Sequence, residues 1–558
     1  MIVRDRIAAV AVALAVAATS GTRLPAQAPT IDQAVGRSGM VSTGHPLATE
    51  AGLGVLGAGG NAFDAAVVIA AALNVVEPMM SGIGGYGTIL VYDARSKRAR
   101  FLNSSGRIPQ AVDSDVYRAP TPNYMENRRG AKAVSTPGNL HAWEALWREY
   151  GSREWRTLFV PAIGLAESGF ELGPRTAALI RDAYASFAPH AKAIYGSGDA
   201  PLAAGQRLVQ KDLAHSLRLI ADGGAAAFYG GSIGRAIDRA MRDAGGFLAL
   251  ADLTSDKAEW WEPIAIEYRG HQVLTASPPA NSFDALARLG IMERFDAKAL
   301  GHNSADYLHR FAEATKIGFW MRLRYAGDPE IAPPPVARLF SKPYLDSVAA
   351  TIDPARARPF VPPGVTANAG NNTTHFVVAD RFGNVVSATQ TLGNSFGSRI
   401  MVEGTGIWLN NSLAYSTFEP KGNPMDAFGG RRKLSGDVPA IVMRDGRPWI
   451  AIGTPGGHTI GQTVPQMIMN VIDFDMDIQR AIAAPRVSFF EPDSLIVEPG
   501  VPEPVRAQLA ARGHKIRVPA RAVLGDAHGL TIEYDAQGRP VRFTGGTDPR
   551  GEGLAKGR

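Results

Sequence analysis

The 558-residue chain contains no cysteine. That one absence excludes a thiol nucleophile, disulfide staples and cysteine-based metal sites together, and it fits an oxidising or a reducing compartment equally. A one-sided charge is missing as well: 58 Lys and Arg stand against 52 Asp and Glu, and the cations are scattered along the chain. The one dense cluster, Arg431-Arg432-Lys433, has no aromatic residues interleaved and reads as a solvated loop, so no nucleic-acid partner is expected. The longest apolar stretch near the start, Ile7 to Ala18, is too short to cross a bilayer comfortably, and no membrane span is expected in the mature protein. The histidines are dispersed and no zinc-hydrolase helix motif occurs, so neither a metal nor a cofactor is expected.

What is present is globular: 45% apolar and 20% charged residues, with 61 glycines and 38 prolines for many sharp turns. The length exceeds what a single core usually fills, which predicts two large lobes or one large layered α/β domain. Arg4 and Arg6, the short apolar run and Ala26-Gln27-Ala28 read as a secretory signal peptide over 1–28, predicting a periplasmic or secreted product.

Local patterns predict a helix from Leu47 to Leu56 stopped at Gly59-Gly60, then a second one capped by Asn61, with Asp64 in its first turn, running to Val76. Its apolar residues cover every face, so it is expected to be fully buried. Strands follow at Thr88–Tyr92 and Arg100–Leu102, and the middle, about 142–324, reads as mostly helical. From 350 to 372 proline, glycine and asparagine give loop chemistry. Then His375–Ala379, a turn at Asp380–Asn384 and Val385–Leu392 make a hairpin.

Three motifs compete for the chemistry. Gly82-Ile-Gly84-Gly-Tyr-Gly87 fits the dinucleotide-binding spacing but follows a helix and enters a strand, the reverse of what that site needs; a turn allowing close backbone approach reads better. Gly393-Asn-Ser395-Phe-Gly397 fits a serine nucleophile elbow but lacks the helix that must follow. The third is Asn371-Asn372-Thr373-Thr374-His375. A threonine hydroxyl is a weak nucleophile until its own α-amine is free to act as base, and an N-terminal amine, with a pKa near 8, can do so at neutral pH. A flexible polar loop meeting a strand suits a cut between Asn372 and Thr373. By spacing alone, an ordinary strand opening with a β-branched pair explains these residues better.

The wider chain changes that balance. Asn372-Thr-Thr-His-Phe376 with Asp380, Gly383 and Asn384 resembles the start of the small subunit of the γ-glutamyltransferase (glutathione hydrolase) family. The likeness continues in order through Gly59–Ala66, Ser135–Gly138, Pro161–Glu167, Gly406–Asn411, Gly453–Gly457 and Asp548–Arg550. It implies the αββα sandwich of N-terminal-nucleophile hydrolases, with a large subunit at 29–372 and a small subunit at 373–558 that pair after self-cleavage. It implies Thr373 as nucleophile, Thr391 as the hydroxyl that hydrogen-bonds it, and the Gly456 and Gly457 N–H groups as the oxyanion hole.

The residues that would hold a γ-glutamyl group depart from the family pattern. Ser105 stands where the family has the carboxylate-binding arginine, with Arg107 two positions on. Tyr415 replaces the ammonium-binding aspartate, and Ser412 the neighbouring glutamine or glutamate. Gly393 replaces an asparagine, though Asn394 follows. Ser435 remains of a serine pair whose second member is Gly436. His458, directly after the oxyanion glycines, is unusual: it either faces the substrate or is hydrogen-bonded behind it. A buried carboxylate or ammonium needs its partner, so these changes alter specificity. The expectation is an amide hydrolase or acyltransferase working through a threonyl ester on a small amide or glutathione-like peptide. Glutathione hydrolase leads by resemblance, with an acylase for a non-γ-glutamyl dicarboxylic amide as the alternative. A non-catalytic binding protein of the same fold is the reading from another class.

Overall fold

Asn61 begins a helix buried along its whole length. Its side chain accepts from the N–H groups of Phe63 and Asp64, and Asp64 returns a bond to the Asn61 N–H. This capping box fixes the start of Ala62–Val76, in which every residue is buried. The preceding helix, Pro46–Gly57, ends before Gly59, whose φ of +86° only glycine adopts readily. The computed structural model describes residues 32–118, 129–280, 282–362, 372–416, 420–432, 435–490 and 493–558, with Tyr415 as backbone only. The expected signal peptide, Asn371 and Lys433 lie outside them.

Gln33–Arg558 forms one unit built on two seven-stranded antiparallel sheets. The first runs Leu554–Gly557, Gly39–Thr43, Asn372–Asp380, Val385–Gly393, Tyr86–Asp93, Arg98–Asn103, Glu259–Trp261. The second runs Ala34–Gly36, Pro540–Thr547, His528–Tyr534, Arg447–Gly453, Ala440–Arg444, His271–Thr275, Ile264–Tyr268.

Side-chain alternation sorts the layers. In Asn372–Asp380, Val377 and Ala379 join Ala451, Leu530 and Phe543 between the sheets, while Phe376 and Val378 face the helical core that holds Ala62–Val76. On the far side of the second sheet, Val442, Ile450 and Ile452 pack with the helices Phe283–Met292, Ala305–Tyr325 and Ile460–Ile472. Helix, sheet, sheet, helix is the expected αββα order. The predicted hairpin is present at Asn372–Asp380 and Val385–Gly393.

The middle of the chain is mostly helical, as expected, and also contributes three sheet strands: Glu259–Trp261 at the edge of the first sheet, and Ile264–Tyr268 and His271–Thr275 in the second. One expectation needs correction: the arginine cluster does not form a solvated loop. Arg432 is buried, ion-paired to Glu259 and, at 2.9 Å, to Glu330, and lies 4.8 Å from the centre of the Trp261 ring. A guanidinium tolerates such burial because carboxylates meet its donors.

Candidate active site

The parity that sends Val377 and Ala379 between the sheets also sends Thr373 and His375 there, and turns Thr374 toward the helices. Register then adds a distortion. Asn372 pairs with Gly393 and Thr374 with Gln390, so Thr391 and Leu392 both stand opposite Thr373. Such a bulge re-aims side chains at a sheet's end. Here it brings the Thr391 hydroxyl to 3.1 Å from Thr373 Oγ1 and 2.7 Å from the Asn372 carbonyl oxygen, to which it donates. Thr391 Oγ1 accepts from the Gly393 N–H at 2.8 Å and from the Thr373 hydroxyl. One proton given and two accepted is the full capacity of a hydroxyl, so its orientation is determined.

Thr374 donates to the buried Glu77 at 2.8 Å. Glu77 follows the buried helix directly, and burial pushes its carboxyl up to about 7 against the nearby Arg175 charge. A Cβ on Gly44 would lie 2.7 Å from that carboxylate, so the backbone closes over it there. On the other face, His375 is fully buried, bonded to Thr389 Oγ1 at 2.8 Å and held neutral by its burial.

Gly453 ends a strand of the second sheet directly on the His375 ring; a Cβ there would come within 2.3 Å of it. From that contact the chain passes through Thr454 and Pro455 to Gly456 and Gly457. Gly456 has φ +141° and Gly457 φ +60°, and a Cβ on Gly456 would meet Thr459 Oγ1 at 2.5 Å. Among the described residues neither glycine N–H has a hydrogen-bond partner. Two strained, side-chain-free residues with open donors can serve a developing oxyanion.

Gly436 adjoins this turn, its missing Cβ 3.4 Å from the Gly457 carbonyl oxygen. Ser435 is bridged to Ala280; among the described residues neither its buried Oγ nor His458 Nδ1 has a hydrogen-bond partner. Phe490 lies 4.7 Å and Phe319 6.3 Å from the His458 ring. Burial, with the positive charges of Arg322 and Arg288, drives His458 down to about 3, so it is neutral. Of the two readings for His458, a hydrogen-bonded supporting role is not what the structure gives Nδ1.

Other predicted positions are committed elsewhere. Ser105 is fully buried and bonds Asn103 through both its N–H and its hydroxyl. Arg107 makes a two-pronged pair with Glu330 at 3.1 and 3.2 Å and donates to the Gly430 carbonyl. Ser412 bonds Ser135, and the Asn394 N–H donates to Asn411 at 2.8 Å. The side chain of Tyr415 is outside the described atoms.

The two competing motifs are structural. A Cβ on Gly85 or Gly87 would lie 2.3 or 2.2 Å from the Thr391 or Thr389 carbonyl oxygen, so that turn exists to let Tyr86–Asp93 approach its neighbour. After Ser395 the chain turns, with Phe396 and Arg399 at positive φ, into the short strand Met401–Val402, with no helix between. Glu77 was not anticipated. A lone acid between fifteen buried residues and Pro78 was the available signal.

Comparison with known proteins agrees with this layout. The Gamma-glutamyltranspeptidase family profile matches residues 48–557. The chain is 39% identical to the Acylase ACY 1 proenzyme of Pseudomonas sp. (strain V22), over 92% of this chain and 95% of that one. It is 34% identical to the Glutathione hydrolase proenzyme of Bacillus subtilis (strain 168), over 90% and 89%. Among solved structures, cephalosporin acylase from Bacillus halodurans superposes with a TM-score of 0.87 at 28% identity, over 97% of this chain and 98% of that one. The chain is an enzyme of the gamma-glutamyltranspeptidase family, with the N-terminal-nucleophile hydrolase fold.

Proposed function

We propose that the chain is an exported, self-cleaving acylase: it cuts itself between Asn372 and Thr373 and then hydrolyses amides whose acyl group lacks the α-amino group of γ-glutamate. The observation that carries the first half is the position of Thr391 Oγ1, bonded at once to Thr373 Oγ1 and to the Asn372 carbonyl. Thr373 Oγ adds to that carbonyl carbon while Thr391 donates to its oxygen. The C–N bond breaks to an ester, the nitrogen taking the hydroxyl proton. Water hydrolyses the ester, leaving Asn372 as the carboxylate end of a large chain and Thr373 as the amino end of a small one, 373–558.

The freed α-amine then serves as base. It takes the Thr373 proton as Oγ attacks the substrate amide and passes it to the leaving amine. The tetrahedral oxyanion is held by the Gly456 and Gly457 N–H groups; one such donor is worth roughly 3–4 kcal/mol of barrier. Water releases the acid from the threonyl ester, and an amine in its place gives transfer.

The second half rests on charge. Ser105 and Ser412 carry none and are bonded inward, Arg107 is paired to Glu330, and position 415 is tyrosine. An ammonium on the acyl group has no anion offered from these positions. Ser435 Oγ and His458 Nδ1, buried beside the oxyanion turn and without partners among the described residues, offer hydrogen bonds to an acyl terminus, and the Arg322 charge favours a carboxylate there. A glutaryl-type dicarboxylic amide fits this better than a γ-glutamyl one. The homologue named an acylase is consistent with it. Intact mass and N-terminal sequencing test the cut, and a fragment beginning at Thr373 is expected. Glutaryl and γ-glutamyl anilides test the pocket: at least about tenfold higher kcat/KM for glutaryl is expected, and a γ-glutamyl preference refutes the acylase half alone.

A further inference from the structure

Two of the eleven histidines, His309 and His514, meet away from Thr373. We propose that His309, Glu313 and His514 form a site for a zinc-class divalent transition metal that joins the two chains of the cleaved enzyme. Their ligand atoms all lie within 4.8 Å of one another, and all three residues are buried. His309 and Glu313, four apart in the helix Ala305–Tyr325, share a face. His514 enters from just before the strand Lys515–Arg517.

The hydrogen bonds orient the donors. His309 Nε2 is 2.7 Å from the Asp353 carbonyl oxygen. A carbonyl only accepts, so Nε2 carries the proton and Nδ1 presents a lone pair, the arrangement found when an imidazole binds metal. That lone pair points at His514 Nε2, 2.8 Å away. Without metal, His514 donates its proton across this gap. With metal, that proton shifts through solvent to His514 Nδ1, so the ring stays a neutral imidazole with Nε2 open, and the rings part by a few tenths of an ångström, since two nitrogens each about 2.0–2.1 Å from zinc in tetrahedral geometry stand roughly 3.3 Å apart.

Glu313 supplies the negative charge. It is held by Lys316 at 2.7 Å and by the Arg358 N–H at 3.2 Å, and each of its oxygens keeps a second lone pair. Two imidazoles, one carboxylate and a water suit zinc, cobalt(II) or nickel(II) rather than calcium or magnesium. The joining role, though not the binding, rests on the proposed cleavage. His309, Glu313 and Asp353 would belong to the large chain and His514 to the small, and the Ala357 N–H already bonds the Arg512 carbonyl across the same seam at 2.7 Å.

The test uses the full enzyme stripped with a chelator and titrated with cobalt(II), then zinc. Visible absorption of a low-symmetry cobalt site and a melting temperature that rises to saturation at about one metal per chain pair are expected. Both are lost in His514→Asn, which keeps a hydrogen-bond donor beside His309. Thr373→Ala, left uncut, should bind metal equally, which separates this proposal from the cleavage. Absence of cobalt absorption and of any thermal shift, or equal binding by His514→Asn, overturns it.

Discussion

Glu77 accepts a hydrogen bond from Thr374, the residue after the proposed nucleophile, and its substitution gives a sharp test of how the strand start is supported. Burial carries its carboxyl from an ordinary 4.5 up to about 7. At about 1.4 kcal/mol for each tenfold change in proton affinity, ionising it in the folded protein costs about 3 kcal/mol relative to the unfolded chain. The sign follows from the raised value. Below pH 4.5 both states hold the proton and no penalty exists; between 4.5 and 7 the folded state keeps a proton that the unfolded state has lost, so stability falls as pH rises; above 7 the full penalty is present. The groups acting on it are Arg175, which lowers the value, Asp526 and Glu552, which raise it, and the Thr374 hydroxyl bonded to it. Glu77→Gln removes the charge and keeps an oxygen to accept from Thr374. Urea unfolding at intervals from pH 4.5 to 8.5, carried out in Thr373→Ala so that a single chain unfolds, should show Glu77→Gln gaining on the parent as pH rises. The gap should level off above pH 7 near 3 kcal/mol. Parallel curves would refute a buried, titrating Glu77.

Thr373→Ala should leave one uncut chain with no turnover by gel and anilide assay, while Ser395→Ala should cut and turn over normally; the reverse pattern would restore the serine-elbow reading. Gly456→Ala forces a Cβ to 2.5 Å from Thr459 Oγ1 at φ +141°, and a loss of about 10²–10³ in kcat with the fold retained is expected, readable by steady-state kinetics and circular dichroism. Asp548→Asn breaks a buried set in which Asp548 receives Arg486 at 2.8 Å and Arg550 at 2.9 Å. About 3–5 kcal/mol should be lost near neutral pH. Although burial alone would raise it, those arginines hold the Asp548 carboxyl below its usual range. Its contribution is therefore present above the ordinary carboxylate pKa and fades as pH falls through the depressed one, so the wild-type advantage in urea unfolding should shrink only in strong acid.

What could be read without coordinates divides along a physical line. The Asn61 cap, the Ala62–Val76 helix and the hairpin around Gly383 depend on neighbours a few residues apart, and they were legible. The proposed reaction centre is nearly as local. Thr373, Thr391 and Gly393 belong to that one hairpin, and Gly456 and Gly457 leave a strand that Gly453 seats on His375. Even there, the bulge that sets two residues against Thr373 is a matter of register across the sheet and carries no local signature. The acyl pocket is the opposite case. His458 takes its surroundings from Phe319, Arg322 and Phe490, and Ser435 from Ala280, segments far apart in the chain. The same holds for Arg107, whose Glu330 partner lies 223 residues on, and for Arg432, read as solvated because the carboxylates that bury it come from elsewhere. A nucleophile built into a single hairpin keeps its geometry while distant segments exchange residues around it. On the proposed reading, the nucleophile's chemistry can hold steady while the acyl group changes, and the pocket charges, rather than the nucleophile, decide whether this enzyme accepts an α-ammonium.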